Sequence, residues 1–255
     1  MKTGEPTGSP MVFYMFDEFI KEIQRIFVAD GNWRYLFNGL LNTLLIAFFA
    51  VIIGIVIGFF IGMVRATYDK NNGKISSKKA VNGVFNVLNK ICKLYLTIIR
   101  GTPAMVQLLI IYFVVFASIN VDPIVAAIIA FGLNSGAYVA EIVRGGIMAI
   151  DNGQFEAGRS LGFNYSRTMM YIVLPQAFKN ILPALGNEFI VLLKETSVAG
   201  YIGVSELTKG GDIIRANTFS AFLPLIAGAL IYLAMVLGLQ ALVNALERRL
   251  RKSDH

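Results

Sequence analysis

Two carboxylates, Glu188 and Glu195, stand seven residues apart in an otherwise apolar stretch, with Leu192 between them at spacings of four and three. Residues so spaced share one face of a helix. A carboxylate at the centre of a bilayer costs about 2.5–3.5 kcal/mol on insertion scales, so two on one face invite a cation. An ammonium or guanidinium group meeting fixed negative charge in low dielectric is the chemistry this face offers. The alternative is internal satisfaction, by Lys194 or by another helix. Lys194 points about 100° away from Glu195 around the helix, which makes that pair awkward. A second polar cluster, Asn134 and Ser135 beside Gly132 and Gly136, falls near the middle of another apolar stretch. Tyr138 lies one turn on from Asn134, on the same face. Glu141 and Arg144, three apart, are expected to pair with each other.

Other chemistries lack their residues. Cys92 is the only cysteine and His255, at the chain end, the only histidine, which removes a disulfide, a Cys-based metal cluster and histidine catalysis. No Gly-x4-Gly-Lys-Ser/Thr phosphate loop occurs; Lys209-Gly210-Gly211-Asp212 lacks both the spacing and a lysine after its second glycine. Ser, Glu and Lys form no catalytic constellation, and no repeat between halves suggests a secondary transporter. The chain is 56% apolar and 15% charged, which makes it a membrane protein. Its net charge of +7 is therefore assigned to membrane orientation and not to nucleic acid.

The elements that position these residues are five expected spans. The first runs from about Leu36 to Val64, with Gly54, Gly58 and Gly62 in register as a seam for close helix approach. A hydrophilic stretch with Lys70, Lys74, Lys78 and Lys79 covers Arg65 to Asn82. The second span, Val84 to Ile119, is broken at Arg100-Gly101-Thr102-Pro103, where Pro103 removes a donor. The third starts at Pro123 after a turn and runs to about Val143, the fourth covers Ala177 to Ala199 with a bend expected at Pro183, and the fifth Ala221 to Leu246. A loop, Gly200 to Phe219, joins the last two. Loops and ends on one side carry fifteen Lys and Arg against six on the other, which places the N-terminus outside and the C-terminus in the cytoplasm. No signal peptide is expected. Residues 1–34 form a polar tail and an amphipathic helix (Phe16, Phe19, Ile20, Ile23 and Phe27 on one face), either interfacial or packed on the body, with Trp33 and Tyr35 as belt anchors. Residues 35–252 form the transmembrane domain.

Between the third and fourth spans, a water-facing helix is expected at about 151–162. Asp151 is its cap, and Gln154, three residues on, returns the bond. Gly162 stops it in the left-handed conformation. Ala157 and Gly158 are small enough for a partner's groove to grip closely, while Glu156 and Arg159 are free to pair with each other or with that partner.

The run Glu156-Ala157-Gly158-Arg159, with Gly162 and then Ile172-Val173-Leu174-Pro175, resembles the EAA loop of ABC importer permeases, the coupling helix that docks into a cytoplasmic ATPase. Gly158 stands where that family usually has Ala, which weakens the helix by up to about 1 kcal/mol. Arg100-Gly101-Thr102-Pro103 with Val106-Gln107, the run Asn134 to Ile147, Leu185-Gly186-Asn187-Glu188-Phe189, Lys194-Glu195-Thr196-Ser197 and Ile202 to Thr208 are similar to the permeases for polar amino acids. The resemblance spans about Leu36 to Lys252. It implies an all-α polytopic fold of the type I importer class in a bacterial plasma (inner) membrane, surrounded by lipid. It further implies a second copy or sister permease, a cytoplasmic ATPase dimer that binds ATP and Mg (this chain holding no cofactor), and an extracytoplasmic solute-binding protein delivering at Tyr201–Phe219. Solute contacts implied are Asn134, Ser135, Tyr138, Glu188, Leu192 and Glu195. A basic amino acid is the first expectation, with glutamine or another polar amino acid the alternative.

Overall fold

The computed structural model describes residues 10–29, 31–73 and 79–251. The polar tail 1–9, Lys74 and Lys78 of the basic stretch, and the chain end with Lys252 and His255 lie outside the described residues. All regular structure among them is helical. The order is α1 (Pro10–Ile23), α2 (Trp33–Lys70), α3 (Lys79–Gly101), α4 (Ala104–Ile110), α5 (Pro123–Met148), α6 (Asn152–Ser160), α7 (Tyr165–Thr168), α8 (Leu174–Glu195), α9 (Leu207–Thr218) and α10 (Phe222–Arg251).

The centre is the pair α2 and α5. A Cβ at Gly58 would meet the Val139 side chain at 2.5 Å, and one at Gly62 the Ala140 carbonyl at 2.7 Å. The expected glycine seam is therefore the contact between these two helices, where Ser135, Val139 and Val143 of α5 lie directly against the bare backbone of α2. α2 and α5 are each long and apolar enough to cross a membrane, as is α10. α3 and α4, bent by 107° where they join, meet that standard only together, as a broken span or a re-entrant loop. The bend falls at Thr102-Pro103, as Pro103 demands. α8 carries Lys179, Glu188, Lys194 and Glu195 and does not reach the same apolar standard by itself.

Several boundaries differ from the expectation, each for a physical reason. α2 continues through Lys70, because Arg65, Asp69 and Lys70 all find polar partners at its end. α3 begins at Lys79, before its apolar run. Pro183 lies inside α8, and Pro175 occupies its first turn, where a missing N–H costs nothing. The expected loop 200–219 is mostly structured, as a 3₁₀ turn (Thr196–Ile202) followed by α9.

The N-terminal segment divides between its two expected roles. Ile23, Ile26 and Phe27 pack with Leu36, Leu207, Ile214 and Leu223 into one cluster. Tyr14, Met15, Phe16, Phe19 and Ile20 remain exposed, as do Trp33 and Tyr35.

Candidate functional site

The polar residues of α5 and α8 meet in the interior. Ser135, fully buried, donates to Glu188 Oε1 at 2.9 Å. Glu188 is thus satisfied by a second helix, one of the two alternatives the sequence left open. Glu195 is half-buried at the end of α8, about 10 Å further along the axis. It has no hydrogen bond or ion pair among the described residues. Leu192 is fully buried and packs in the cluster with Ala130 and Phe131, so it shapes the wall from behind. Asn134 is also buried, and its Nδ2 donates to Gln107 Oε1 at 2.9 Å. Tyr138 is partly exposed, with the Arg100 guanidinium 5.9 Å from its ring centre.

Gln107 is a member of this site that residue types alone did not single out. Its Nε2 donates to the carbonyls of Ile99 (2.7 Å) and Thr102 (3.0 Å) and lies 2.7 Å from Thr102 Oγ1. It therefore serves the backbone groups that the break between α3 and α4 leaves open, and its oxygen ties that break to Asn134. The charges one turn along form a chain as well. Glu141 holds Arg100 at 3.1 Å and Arg144 at 3.6 Å, and Arg144 reaches Asp69 at 2.7 Å. The expected Glu141–Arg144 pair exists, but its members bond more closely to α3 and α2.

The surface helix α6 starts as expected, with Asp151 Oδ1 accepting from Gly153 N at 2.6 Å, and Gly162 has φ +78°. The return bond from Gln154 is not made; its Oε1 accepts from Gln176 Nε2 at 3.1 Å instead, tying α6 to α8. Gly158 faces inward, where a Cβ would meet Thr168 at 2.6 Å, so its smallness serves packing against α7. Glu156, Ala157 and Arg159 are exposed, and no ion pair joins Glu156 to Arg159. Leu161, Met170 and Tyr171, which follow in the chain, are exposed apolar side chains as well. Phe155 is buried and stacks on Tyr165 (5.7 Å, 15°). Burial pushes the Tyr165 hydroxyl up from its ordinary range. Lys70 then caps the arrangement from α2: its Nζ donates to Asn152 Oδ1 (2.7 Å) and Ile150 O (3.2 Å) and sits 5.1 Å from the Phe155 ring centre.

At the opposite end, α9 is bound to the start of α2. Glu206 is buried and accepts from Thr208 N (2.7 Å), Lys209 N (2.6 Å) and the Tyr232 hydroxyl (3.2 Å). Thr43 Oγ1 accepts from Leu207 N at 3.2 Å. On the outer side of α9, Arg215 (2.6 Å) and Lys209 (3.1 Å) hold the Asp212 carboxyl below its usual range. A cavity of about 340 Å³ opens beside it, with Ser197, Tyr201, Glu206 and Lys209 in its wall.

A helical membrane body with polar groups in its interior and a capped helix projecting from one end has the build of a transport component. Residues 79–252 match the family described as the inner membrane component of binding-protein-dependent transport systems, and the chain belongs to that family. The glutamine transport system permease protein GlnP of Escherichia coli (strain K12) is 40% identical over 168 residues, 65% of this chain and 77% of that protein. The arginine transport system permease protein ArtQ of Bacillus subtilis (strain 168) is 43% identical over 166 residues, 64% and 76% of the two chains. A crystal structure of an amino acid ABC transporter with histidines superposes with a TM-score of 0.73 at 42% identity, covering 85% of this chain and 94% of the other.

Proposed function

We propose that this chain is the permease subunit of an ATP-driven ABC importer for polar amino acids, worked through α6 by a separate cytoplasmic ATPase. The observation that carries this reading is the build of α6. It is capped at its start, stopped by a left-handed glycine, fastened inward through Phe155, Gly158 and Lys70, and bare on the Glu156–Ala157–Arg159 face. A helix fastened on one side and exposed on the other suits a lever. The charge asymmetry supports a cytoplasmic position for this end and an external one for α9, with the N-terminus outside and the C-terminus inside. Two copies, or this chain and a sister, form the pathway on an ATPase dimer that binds the nucleotide and Mg. A solute-binding protein delivers at the Tyr201–Phe219 segment.

The solute is taken at Asn134, Ser135, Tyr138, Glu188 and Glu195, with Leu192 behind them. Glu195, half-buried and without a bonded partner among the described residues, supports a cationic group as its counterpart. A basic amino acid (arginine, lysine or histidine) is the first choice. Glutamine is the second, its α-ammonium taking the same place; the similarity to both glutamine and arginine permeases supports this pair of choices. ATP can drive net import only where the solute binds the outward-facing and inward-facing states with different affinities. The test is solute-stimulated ATP hydrolysis and uptake by the reconstituted complex across a panel of amino acids. Glu188→Gln with Glu195→Gln abolishes any preference for arginine over glutamine; a preserved preference refutes the carboxylate assignment. Uptake that continues without ATP refutes the importer reading.

A further inference from the structure

The residues assigned to the solute include two carboxylates and no cation. Every α-amino acid nevertheless brings a carboxylate into the membrane, and a carboxylate out of water is costly unless cations or converging hydrogen-bond donors meet it. Asn134, Tyr138 and Glu141, four and three residues apart, run along one face of α5, so the face that holds the first two continues to the third. Beside Tyr138 and Glu141 lies a cavity of about 500 Å³ whose wall also contains Arg65, Lys93, Thr97 and Arg100. That is within the size range of small-molecule sites.

The charges of this cavity do not cancel. Its one carboxylate, Glu141, is already shared between Arg100 and Arg144. Arg65 reaches only the neutral Asn89, at 2.8 Å, and its Nε is buried with no hydrogen-bond partner among the described residues. Lys93 has no ion pair among the described residues. Ile91, Leu94 and Ile98 form an exposed apolar flank of α3, and Lys93 and Arg100 lie on a different flank of that helix, toward the cavity.

We propose that this cavity receives the α-carboxylate of the transported amino acid as it passes Tyr138, held by Arg65, Lys93 and Arg100. The proposal rests on the transport reading above and completes it. α8 supplies negative charge for the ammonium or side-chain cation, and α2 with α3 supply positive charge for the group common to all amino acids. Selection for an amino acid as such then resides here, and selection among side chains resides on α8.

The test is calorimetric titration of the nucleotide-free complex of permease and ATPase. The probes are L-glutamine and L-arginine, each against its α-amide, which keeps the side chain and removes the carboxylate. The amides bind the parent complex at least about tenfold more weakly, and in Arg65→Gln with Lys93→Gln that gap closes to about twofold or less. Lys93→Gln alone, at an exposed position, narrows it at least about threefold and decides the matter if the double variant does not fold. Lys90→Gln, outside the cavity wall, leaves it unchanged. An undiminished gap in these variants, or equal binding of acid and amide by the parent, overturns the proposal. So does binding that follows the phosphatidylglycerol content of nanodiscs and ignores the α-carboxylate, which would give the cavity to a lipid headgroup. Uptake by the parent complex is measured alongside. Failure of uptake sinks the transport reading and this proposal with it, whereas normal uptake with an unchanged gap sinks only the carboxylate subsite.

Discussion

The two short helices that stand off the spans, α6 and α9, are held in opposite ways. α9 is clamped by backbone. A Cβ at Gly210 would meet the Tyr35 carbonyl at 2.5 Å, one at Gly39 the Glu206 carbonyl at 2.7 Å, and a buried carboxylate closes its first turn. α6 is held by side chains, through an ammonium over a ring, one aromatic stack and a glycine against a threonine methyl. Backbone against backbone leaves no slack, because neither surface has a rotamer to change. Side-chain contacts can tilt and re-form. The difference suits a fixed frame at one end and a driven element at the other.

The comparison breaks most severely at its rigid end. Gly210→Val forces α9 off α2, and overpacking of this kind costs about 1–3 kcal/mol or more, so a large drop in thermal midpoint and loss of uptake are expected in a fluorescence-monitored melt. Glu206→Ala ranks next, since it removes the cap of α9 and the Thr208 and Lys209 amides lose their acceptor; loss of such a cap costs about 0.5–2 kcal/mol. Lys70→Met acts differently. It removes a contact of roughly 0.5–1 kcal/mol, so stability barely moves, but the link from α6 to α2 is cut. Transport per ATP hydrolysed falls while ATPase binding persists; an unchanged coupling ratio would refute the mechanical contrast. Glu156→Arg leaves the melt within about 0.5 kcal/mol of the parent and weakens capture of the ATPase in pull-down. The smallest effect is that of pH on the outer face of α9. Asp212 has a lowered pKa, so its ion pairs contribute fully above its unfolded value of 3.8 and are lost as pH falls through the lower folded one. Melts of Asp212→Asn and parent should differ least at the acid end of that range.

Much of the fold was legible because single residue types dictated it. Pro103 marked the break between α3 and α4, Gly54, Gly58 and Gly62 foretold the α2–α5 seam, and Asp151 and Gly162 bounded α6. α9 was not legible. Its interior carries Gly210-Gly211, which weaken a helix, and its cap is a glutamate that works only because the fold buries it against Tyr232. Gly158 read as a residue for a partner to grip, since smallness alone does not say which side is crowded; the structure turns it to Thr168. Within the site, the Ser135–Glu188 bond, 53 residues apart in sequence, and the Lys70 bridge, 82 residues from Asn152, depend on tertiary placement that no local pattern encodes. Gln107 was visible only as part of a motif, not as the group that stitches the break.

That stitch bears on how such a protein can change its cargo over evolutionary time. Asn134 holds the only oxygen with which Gln107 reaches α5, so a substitution at 134 meant to suit a new solute also loosens the bend between α3 and α4. Position 195 carries no such obligation, because nothing among the described residues is bonded to it. If the proposed solute contacts hold, drift in preference is channelled toward 195, where a new side chain can be tried without unsettling the architecture around it.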